Sequence, residues 1–459
     1  IAPDNNATGI KKIRMDLADL GAADLARRIS DGEITSLDVV NACIARIEER
    51  EAEVNAWTHF DPEFARAQAE RCDVIRSTGM PLGPLHGIPV GIKDIFDTKD
   101  FPTENGTVLD AGREPMDDCA AVSRLKAAGC VIMGKTVTTE MAVYSPGKTA
   151  NPHDINRTPG GSSSGSAAAV ACGMVPLAIG SQTNGSVIRP ASFCGVVGFK
   201  PTHGRISRDG VLALSRQLDH VGIFARTLED AALISDCLIG FDSKDPDTKP
   251  VAAPRMREIT LQDPPLEPNF AFVKSPVWDE ADPSTQAAFE ELVDFLGPNC
   301  EEIPLAGEFD NAVGYLRNIM YADLAKNLNS YAERGDEKIS NVLKDMIKEG
   351  RQVNAVDYNI SVDKRDNLHF AIQDICNDYD AIITPAAIGE APLGLDATGD
   401  PIFSTIWTYL GVPAVTIPLL RGENGMPLGV QLISTRGDDA RLFRTARWLI
   451  EEVVRNSED

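Results

Sequence analysis

Long apolar runs and excess positive charge are both missing from this sequence. None of its apolar runs reaches the roughly 18 residues that a membrane-spanning helix needs. The 68 acidic residues outnumber the 44 basic residues, so the formal net charge of the 459 residues is −24. Nucleic acids and anionic membrane surfaces both require a basic face on the protein that binds them. We therefore expect neither nucleic acid nor a membrane as a partner.

Residues that bind metals or pair in disulfides are few and scattered. The nine cysteines include no Cys-x-x-Cys pair, and the six histidines include no His-x-x-x-His pair and no Cys/His cluster. Several cysteines, such as Cys172 and Cys194, lie in runs of small or apolar residues. This distribution is typical of free thiols in a reducing compartment. We expect a cytoplasmic protein with no metal site and no cofactor.

Strand-like and helical segments alternate along much of the chain. Residues 36–50 have an amphipathic helical pattern with Ser36 as the expected N-cap. Because the sheet pattern returns after a helical middle, one discontinuous α/β domain fits better than two tandem domains. The predicted fold is a large mixed, mainly parallel central sheet covered by helices on both faces. Its expected parts are an N-terminal helical region at about 10–75, a core at about 80–240, a helical insertion at about 310–378 and a C-terminal return to the sheet at about 380–459.

Two short motifs point to other enzyme classes, and their context argues against both. Residues 129–136 match the phosphate-loop pattern G-x-x-x-x-G-K-[ST], but a helix precedes them and the variable positions predict a strand. A strand cannot wrap its amides around a phosphate, so nucleotide binding is disfavoured. Residues 161–165 match the G-x-S-x-G pattern of α/β-hydrolases, but that mechanism needs a later histidine. The last 90 residues contain no histidine, and no acid–histidine pair has a convincing context.

Three polar residues lie in segments that favour contact with a ligand. Lys93 follows a five-residue apolar run that would bury its stem, although a pair with Asp94 at a strand end is the simpler interpretation. Ser162 follows two glycines and precedes a helix, where a serine is usually an N-cap. Ser186 follows an Asn-Gly pair, whose successive amides could point into one concavity. Each residue alone has a structural explanation, and their order and spacing together favour chemistry.

This order and spacing make the chain resemble the amidase signature family. Ser162 stands in the run Arg-Thr-Pro-Gly-Gly-Ser-Ser-Ser-Gly-Ser, and Ser186 follows it by 24 positions in Gln-Thr-Asn-Gly-Ser. Lys93 precedes Ser162 by 69 positions, after the run Pro-Leu-His-Gly-Ile-Pro-Val-Gly-Ile. Further segments that fit the family run through most of the chain, at 134–136, 189–191, 198–202, 218–219, 222–232, 384–385, 411–414 and 427–432.

The resemblance implies a serine amidohydrolase that works without metal or cofactor. In the family a Ser-cisSer-Lys triad cleaves C–N amide bonds. The matching residues here are Ser186 as nucleophile, Ser162 as the bridging serine after a cis peptide, and Lys93 as base. A lysine can act as a base when burial depresses its pKa, and the bridging serine would relay the proton. The expected oxyanion hole consists of backbone amides of the turn Thr183, Asn184, Gly185 and Ser186.

Substrate choice depends on the residues around the predicted nucleophile. Many family members have Gly-Gly before this serine, whereas Asn184 here keeps the amide donor and changes the shape of the pocket. The run Ser-Val-Ile-Arg-Pro that begins at the nucleophile is similar to that of malonamidase, whose matching arginine meets a substrate carboxylate. Arg189 could therefore bind an acid end or hold the loop in a salt bridge. Ser163 and Gln182 are further candidates for substrate binding.

We predict an amidase that hydrolyses a small-molecule amide through an acyl-enzyme and releases ammonia or an amine, with a homodimer as an open option for its assembly. The alternative is the A-type subunit of a glutamine-dependent tRNA amidotransferase, in which the same triad works inside a complex that channels ammonia. A non-catalytic family member serving as a complex subunit is a further alternative. The malonamidase-like run argues against the amidotransferase, and the presence of all three triad residues argues against a non-catalytic role.

Overall fold

Helices provide most of the regular structure. A computed structural model describes residues 16–305 and 307–457 and shows fifteen α-helices within those ranges. They are α1 (Ala22–Asp31), α2 (Ser36–Val54), α3 (Pro62–Ser77), α4 (Ala120–Ala127), α5 (Ser164–Ala171), α6 (Ile188–Cys194), α7 (Leu228–Leu238), α8 (Met256–Thr260), α9 (Pro283–Leu296), α10 (Ala312–Asn327), α11 (Asn329–Gly335), α12 (Asn341–Gly350), α13 (Ala355–Asp378), α14 (Ile402–Leu410) and α15 (Asp439–Ser457). Four of them, α10 to α13, fill the middle region that the sequence predicts as helical.

One sheet of eleven strands runs through the molecule in the order β1-β3-β2-β4-β6-β5-β10-β11-β9-β7-β8. The strands are β1 (Trp57–Phe60), β2 (Pro89–Lys93), β3 (Val131–Thr136), β4 (Leu177–Gln182), β5 (Val197–Lys200), β6 (His220–Ala225), β7 (Phe270–Phe272), β8 (Cys300–Glu302), β9 (Ala381–Pro385), β10 (Ala414–Arg421) and β11 (Pro427–Ile433). Because β10 and β11 pair with β5 and β9, the C-terminal strands lie between parts of the chain that are far apart in sequence.

The strand directions confirm a mixed sheet and correct one detail of the prediction. Only four strand pairs are parallel, and six are antiparallel. The expectation of a mainly parallel sheet is therefore wrong. Helical crossovers produce parallel neighbours, whereas β10 and β11 are joined by the short turn 422–426 and must run antiparallel. Such a turn contains no helix, so the alternation of strand-like and helical segments does not show that its two strands run antiparallel.

Both faces of the sheet are covered by helices, as predicted. On β3, Ile132 faces one hydrophobic core, whereas Val131 and Met133 face another. The first core includes residues of α7, α10 and α15, and the second includes residues of α2, α3 and α5. Since successive strand side chains point to opposite faces, this division follows from the two-residue period of the strand. Strands buried on both faces read as continuous apolar runs, which is the pattern that predicted them.

The sequence pattern predicts several elements closely and misplaces one cap. The amphipathic pattern at 36–50 is confirmed as α2, but its N-cap is Thr35 rather than Ser36. The Thr35 hydroxyl accepts from the Asp38 amide, and the Asp38 carboxylate accepts from the Thr35 amide. The helix predicted between the two serines is α5, and it begins at Ser164. Within the described residues, no helix is long and apolar enough to cross a bilayer.

Candidate active site

Lys93 is the last residue of β2 and is completely buried. Its Nζ lies 2.8 Å from Ser162 Oγ and 2.8 Å from Ser181 Oγ. The simpler interpretation, a pair between Lys93 and Asp94, is wrong because Asp94 pairs with Lys135 at 3.2 Å. Within the described residues the Lys93 amine therefore has two hydroxyl groups as its hydrogen-bond partners and forms no ion pair.

Burial sets the charge of Lys93. Removal from water lowers the pKa of Lys93 well below its usual range, and the charge of Asp219 opposes this shift in part. Burial also raises the pKa of the Asp219 carboxyl to about 6, although bonds from Thr183 Oγ1 and the amides of Leu214 and Ser215 favour its ionised form. Burial of this kind favours the neutral form of the amine, which can accept a proton.

Ser162 is held between β2 and α5 by the backbone around it. The Gly161–Ser162 peptide bond is cis, and the Ser162 carbonyl accepts a hydrogen bond from the Thr139 amide at 3.2 Å. A Cβ at position 161 would stand 2.8 Å from Thr398 and 2.9 Å from Thr139, so only glycine fits before this serine. The Gly-rich run therefore lets two other segments approach Ser162 closely and directs its hydroxyl at Lys93.

Ser186 lies in the turn 183–186, between β4 and α6, and is partly exposed. Its hydroxyl makes no hydrogen bond within the described residues and is free to rotate, so the structure contains no Ser186–Ser162 bond. In the same described ranges, the backbone N–H groups of all four turn residues donate to no protein acceptor. Backbone donors are almost always paired in folded proteins, so four consecutive amides without a protein acceptor are unusual, and they keep the predicted oxyanion-binding role open.

The side chain of Asn184 closes one side of this turn. Its amide nitrogen donates to Tyr144 Oη at 3.1 Å, and its side-chain oxygen accepts from Thr405 Oγ1 at 2.8 Å. The Asn184 carbonyl accepts a further bond from Thr408 Oγ1. Gly185 is required next, because a Cβ there would stand 2.7 Å from Pro401. The substitution of Asn for the more usual Gly thus fixes the turn to α14 and fills space beside the nucleophile.

Arg189 is buried and holds the loops around the site. Its Nε donates to the Thr398 carbonyl at 2.8 Å, and its Nη2 donates to the Gly161 carbonyl at 2.7 Å. Burial lowers the pKa of Arg189 to about 10. Its Nη1 is buried without a partner among the described residues. Arg189 therefore supports Gly161 rather than forming the salt bridge that was one of its two predicted roles, and one donor is left for an acid group.

The side chains of Ser163 and Gln182 bond protein groups around the turn. Both are completely buried. The Ser163 hydroxyl bonds the backbone of Ser181, and the Gln182 amide bonds Thr408 Oγ1 and the amides of Val187 and Ile188. Through these bonds the two residues fix the end of β4 and the start of α6, which position the turn, and their role in substrate binding stays a prediction.

Ser181 is a member of the site that the sequence analysis missed. It lies on β4, a strand that the sequence analysis did not single out, and it supplies one of the two hydroxyls on the Lys93 amine. Because β4 runs parallel to β2, residues near the ends of both strands meet at one edge of the sheet. The sequence feature that could have identified Ser181 is its position at the end of an apolar run, five residues before Ser186.

A cavity of about 600 Å³ lies beside the turn, and Asn184 forms part of its wall. Its volume falls in the range of small-molecule sites. The remaining walls come from α10, the segment 396–402 and further side chains of both polar and apolar character, among them Tyr144 and Thr405. The turn is thus open to a ligand at Asn184, two residues before Ser186.

The comparisons with known proteins agree with this geometry. A family model described as Amidase matches residues 38–443. A relative in Bacillus licheniformis, named as the A-type subunit of glutamyl-tRNA(Gln) amidotransferase, is 34% identical over 475 residues, covering 94% of this chain and 97% of that protein. A protein of the same name in Salinispora arenicola is 32% identical over 477 residues, with 94% and 96% covered.

Solved structures share the whole fold. A chain from a vestigial protein complex that reveals the evolutionary origins of an s-triazine catabolic enzyme has a TM-score of 0.88 and 29% identity, covering 94% of this chain and 98% of that one. The substrate complex of 6-aminohexanoate cyclic dimer hydrolase has a TM-score of 0.84 and 26% identity, with 95% and 98% covered. The native peptide amidase from Stenotrophomonas maltophilia has a TM-score of 0.82 and 26% identity, with 95% and 97% covered.

Proposed function

This chain belongs to the amidase family, and we propose that it hydrolyses the C–N bond of a carboxamide with Ser186 as nucleophile, Ser162 as proton relay and Lys93 as base. The observation that carries the proposal is a completely buried lysine amine, 2.8 Å from Ser162 Oγ, beside a turn with four free amides. A buried lysine bound to hydroxyl groups has the proton affinity that activation of a serine requires.

The proposed reaction begins with two linked proton transfers. The neutral Lys93 amine takes the Ser162 proton while Ser162 takes the proton of Ser186, and the Ser186 oxygen bonds to the amide carbon. For this step the freely rotating Ser186 hydroxyl turns towards Ser162. As the C–N bond breaks, the protons return along the same path to the leaving nitrogen, which departs as ammonia or an amine. A water molecule then releases the acid from Ser186 by the same relay.

The turn 183–186 stabilises the oxyanion in this scheme. The side chains of Thr183 and Asn184 are fixed by hydrogen bonds to their neighbours. These bonds hold the turn in place and do not use its backbone amides, which stay free for the oxyanion. Each well-placed donor of this kind lowers the barrier by about 3 kcal/mol. The substrate would enter through the cavity of about 600 Å³, and the free Nη1 of Arg189 is the donor left for an acid end of a small amide.

A second candidate function is the A-type subunit of a glutamine-dependent tRNA amidotransferase. Its support is the name that the curated relatives share, at 31–34% identity across more than nine tenths of this chain. These relatives favour a subunit of a multi-subunit amidotransferase over the independent hydrolase of small amides that the sequence analysis predicts. The chemistry at Ser186 is the same for both candidate functions, because each requires the release of ammonia from an amide. They differ in whether the chain acts alone.

One experiment tests the chemistry and separates the two candidates. Ammonia release is measured from malonamate, aliphatic and aryl amides, ureido acids and glutamine, for the wild type, Ser186→Ala and Lys93→Ala. Ser164→Ala is the matched control, because Ser164 lies in the same serine run and its hydroxyl bonds only the Val137 carbonyl. Activity of the lone chain that is lost in the first two variants and kept in the control supports an independent amidase. Activity that persists in Ser186→Ala refutes the proposed nucleophile.

The amidotransferase candidate gives a different pattern. The folded chain alone would be nearly silent, and ammonia release from glutamine would appear only when the other subunits of such an enzyme are added. Mass measurement in solution then distinguishes a homodimer from a mixed assembly. A folded chain that is silent under both conditions would be a non-catalytic subunit.

A further inference from the structure

A second cavity, of about 530 Å³, has a cationic lining and shares no residue with the cavity that contains Asn184. We call it the arginine cleft. Its basic residues are Arg205 in the loop after β5, Lys249 in the segment before α8, Arg365 on α13 and Arg436 in the loop after β11. In a chain with a net charge of −24, such a concentration of basic groups in one cavity is not a consequence of composition.

Arg365 is a buried cation that forms no ion pair within the described residues, although the charges of Asp366 and Asp247 act on it from a distance. Only 8% of its surface is exposed. Its one hydrogen bond in the described part of the chain runs from Nη1 to the side-chain oxygen of Gln217 at 3.3 Å, and its Nε is buried without a partner. Buried charges in proteins are normally paired, because an unpaired one has lost its hydration with nothing to replace it. The Arg365 guanidinium therefore lacks the anion that would normally pair with it, and the described protein residues do not supply one.

Arg436 is a second guanidinium in the cleft with an unpaired hydrogen-bond donor. Its Nη1 pairs with Asp366 at 2.7 Å, and its Nε donates to the Leu410 carbonyl at 2.7 Å. Its Nη2 is buried and unpaired among the described residues. Burial and, next, the neighbouring charge of Arg436 lower the pKa of Arg365 to about 10. Two guanidinium groups thus stand close enough to repel each other, each with a free donor.

The acidic groups around the cleft are already engaged. Asp247 binds Arg208 and Arg216, and Asp366 binds Arg436. Behind the lining, Asp439 accepts from Thr202 and lies 3.8 Å from Arg205. The exposed Lys249 has no ion pair within residues 16–305 and 307–457. No acidic side chain of the lining is therefore available for Arg365.

We propose that the arginine cleft binds an oxyanion, the phosphate or carboxylate group of a small ligand, between Arg365 and Arg436. Guanidinium groups match both oxyanions because their planar N–H groups pair with two oxygens at once. The cleft has the volume of a small-molecule site, so it accommodates a ligand larger than the anion itself. The cleft shares no lining residue with the cavity that contains Asn184, through which the amide substrate is proposed to enter.

The test is titration calorimetry of the full chain with inorganic phosphate and, separately, with citrate, each against chloride at equal ionic strength. Saturable binding of one of them to the wild type is expected, and the ligand that binds identifies phosphate or carboxylate as the recognised group. Arg365→Met should weaken that binding at least tenfold, because the buried partner of the anion is gone. Lys249→Ala, a change of an exposed and unpaired residue, should weaken it severalfold.

The matched control is Arg255→Ala, which removes an exposed arginine paired only with Glu258 and should leave binding unchanged. If Arg365→Met does not fold, the comparison of Lys249→Ala and Arg436→Gln with this control decides the question. The proposal is overturned if neither anion binds the wild type saturably, or if every variant binds as the control does. Both results are independent of amide hydrolysis.

Discussion

Replacement of Lys93 by methionine should abolish activity and yet stabilise the fold. The proposed mechanism requires the wild-type chain to bury a neutral amine, although an exposed lysine with a pKa of about 10.4 is protonated near neutral pH. At about pH 7.5, three pH units below that value, removal of the proton costs about 4 kcal/mol. Loss of the two bonds to Ser162 and Ser181 offsets about 2 kcal/mol of this. Lys93→Met should therefore raise the free energy of unfolding by about 2 kcal/mol.

The pH dependence isolates the contribution of Lys93. Its pKa is lower in the folded chain than in the unfolded chain, so between these two values the unfolded chain binds the extra proton. Wild-type stability then rises with pH by about 1.4 kcal/mol per unit and loses this dependence above the pKa of the unfolded chain. The stability difference between Lys93→Met and the wild type should change by about 2.5 kcal/mol between about pH 7.5 and about pH 9.5, so the advantage of about 2 kcal/mol should disappear and reverse slightly.

Urea denaturation of both proteins across this range, with ammonia release measured in parallel, checks the reasoning. Activity should fall by at least about 10³-fold, which is the contribution of a general base. The control is Lys135→Met, since Lys135 is also completely buried but bonds Asp94. Its loss leaves a carboxylate unpaired and should destabilise the fold. Parallel stability curves for wild type and Lys93→Met would show that the amine is protonated in the folded chain, which would refute a neutral base.

Three further changes probe the surroundings of the base. Ser181→Ala removes one of the two hydroxyls on Lys93 and should lower kcat about tenfold with little change in KM, an effect that Ser181→Thr should rescue. Asp219→Asn removes a charge that raises the Lys93 pKa, so the acid limb of the profile of kcat/KM against pH should move to lower pH; an unmoved limb would exclude this coupling. Asn184→Gly removes the bonds to Tyr144 and Thr405, and it should cost about 1–2 kcal/mol in thermal unfolding and improve kcat/KM for bulkier amides. Unchanged selectivity would show that Asn184 does not shape the pocket.

Local signals predicted much of the fold because they need no knowledge of the partner strand. The apolar runs of β2, β3, β9, β10 and β11 are buried on both faces, and α2 and α15 have patterns that a helix alone explains. Strand direction, in contrast, cannot be predicted from local sequence signals. It depends on how the chain returns to the sheet, and the pairing of β10 with β5 joins residues more than 200 positions apart. No property of either segment alone specifies that neighbour.

The candidate site shows the same division. Lys93, Ser162 and Ser186 could be picked out because each lies in a short, distinctive run, and two of them come together as expected. The bond from Gln182 to Thr408 could not be predicted, because Thr408 lies on α14, far along the chain. Ser181 was missed for the related reason that only the parallel pairing of β2 and β4 shows what its hydroxyl meets.

Lys93 and Lys135 show how partners decide the role of a residue type. Both lysines are completely buried, and they lie on adjacent parallel strands one register step apart. Lys135 meets Asp94, two backbone carbonyls and a threonine hydroxyl, so acceptors surround its amine and favour the charged form. Lys93 meets two serine hydroxyls, each of which can donate a hydrogen bond as readily as it accepts one. Its environment therefore permits the neutral amine, which Lys135 could adopt only by leaving Asp94 unpaired. The phosphate-loop pattern drew attention to Lys135, whereas the chemistry that the structure supports belongs to its neighbour.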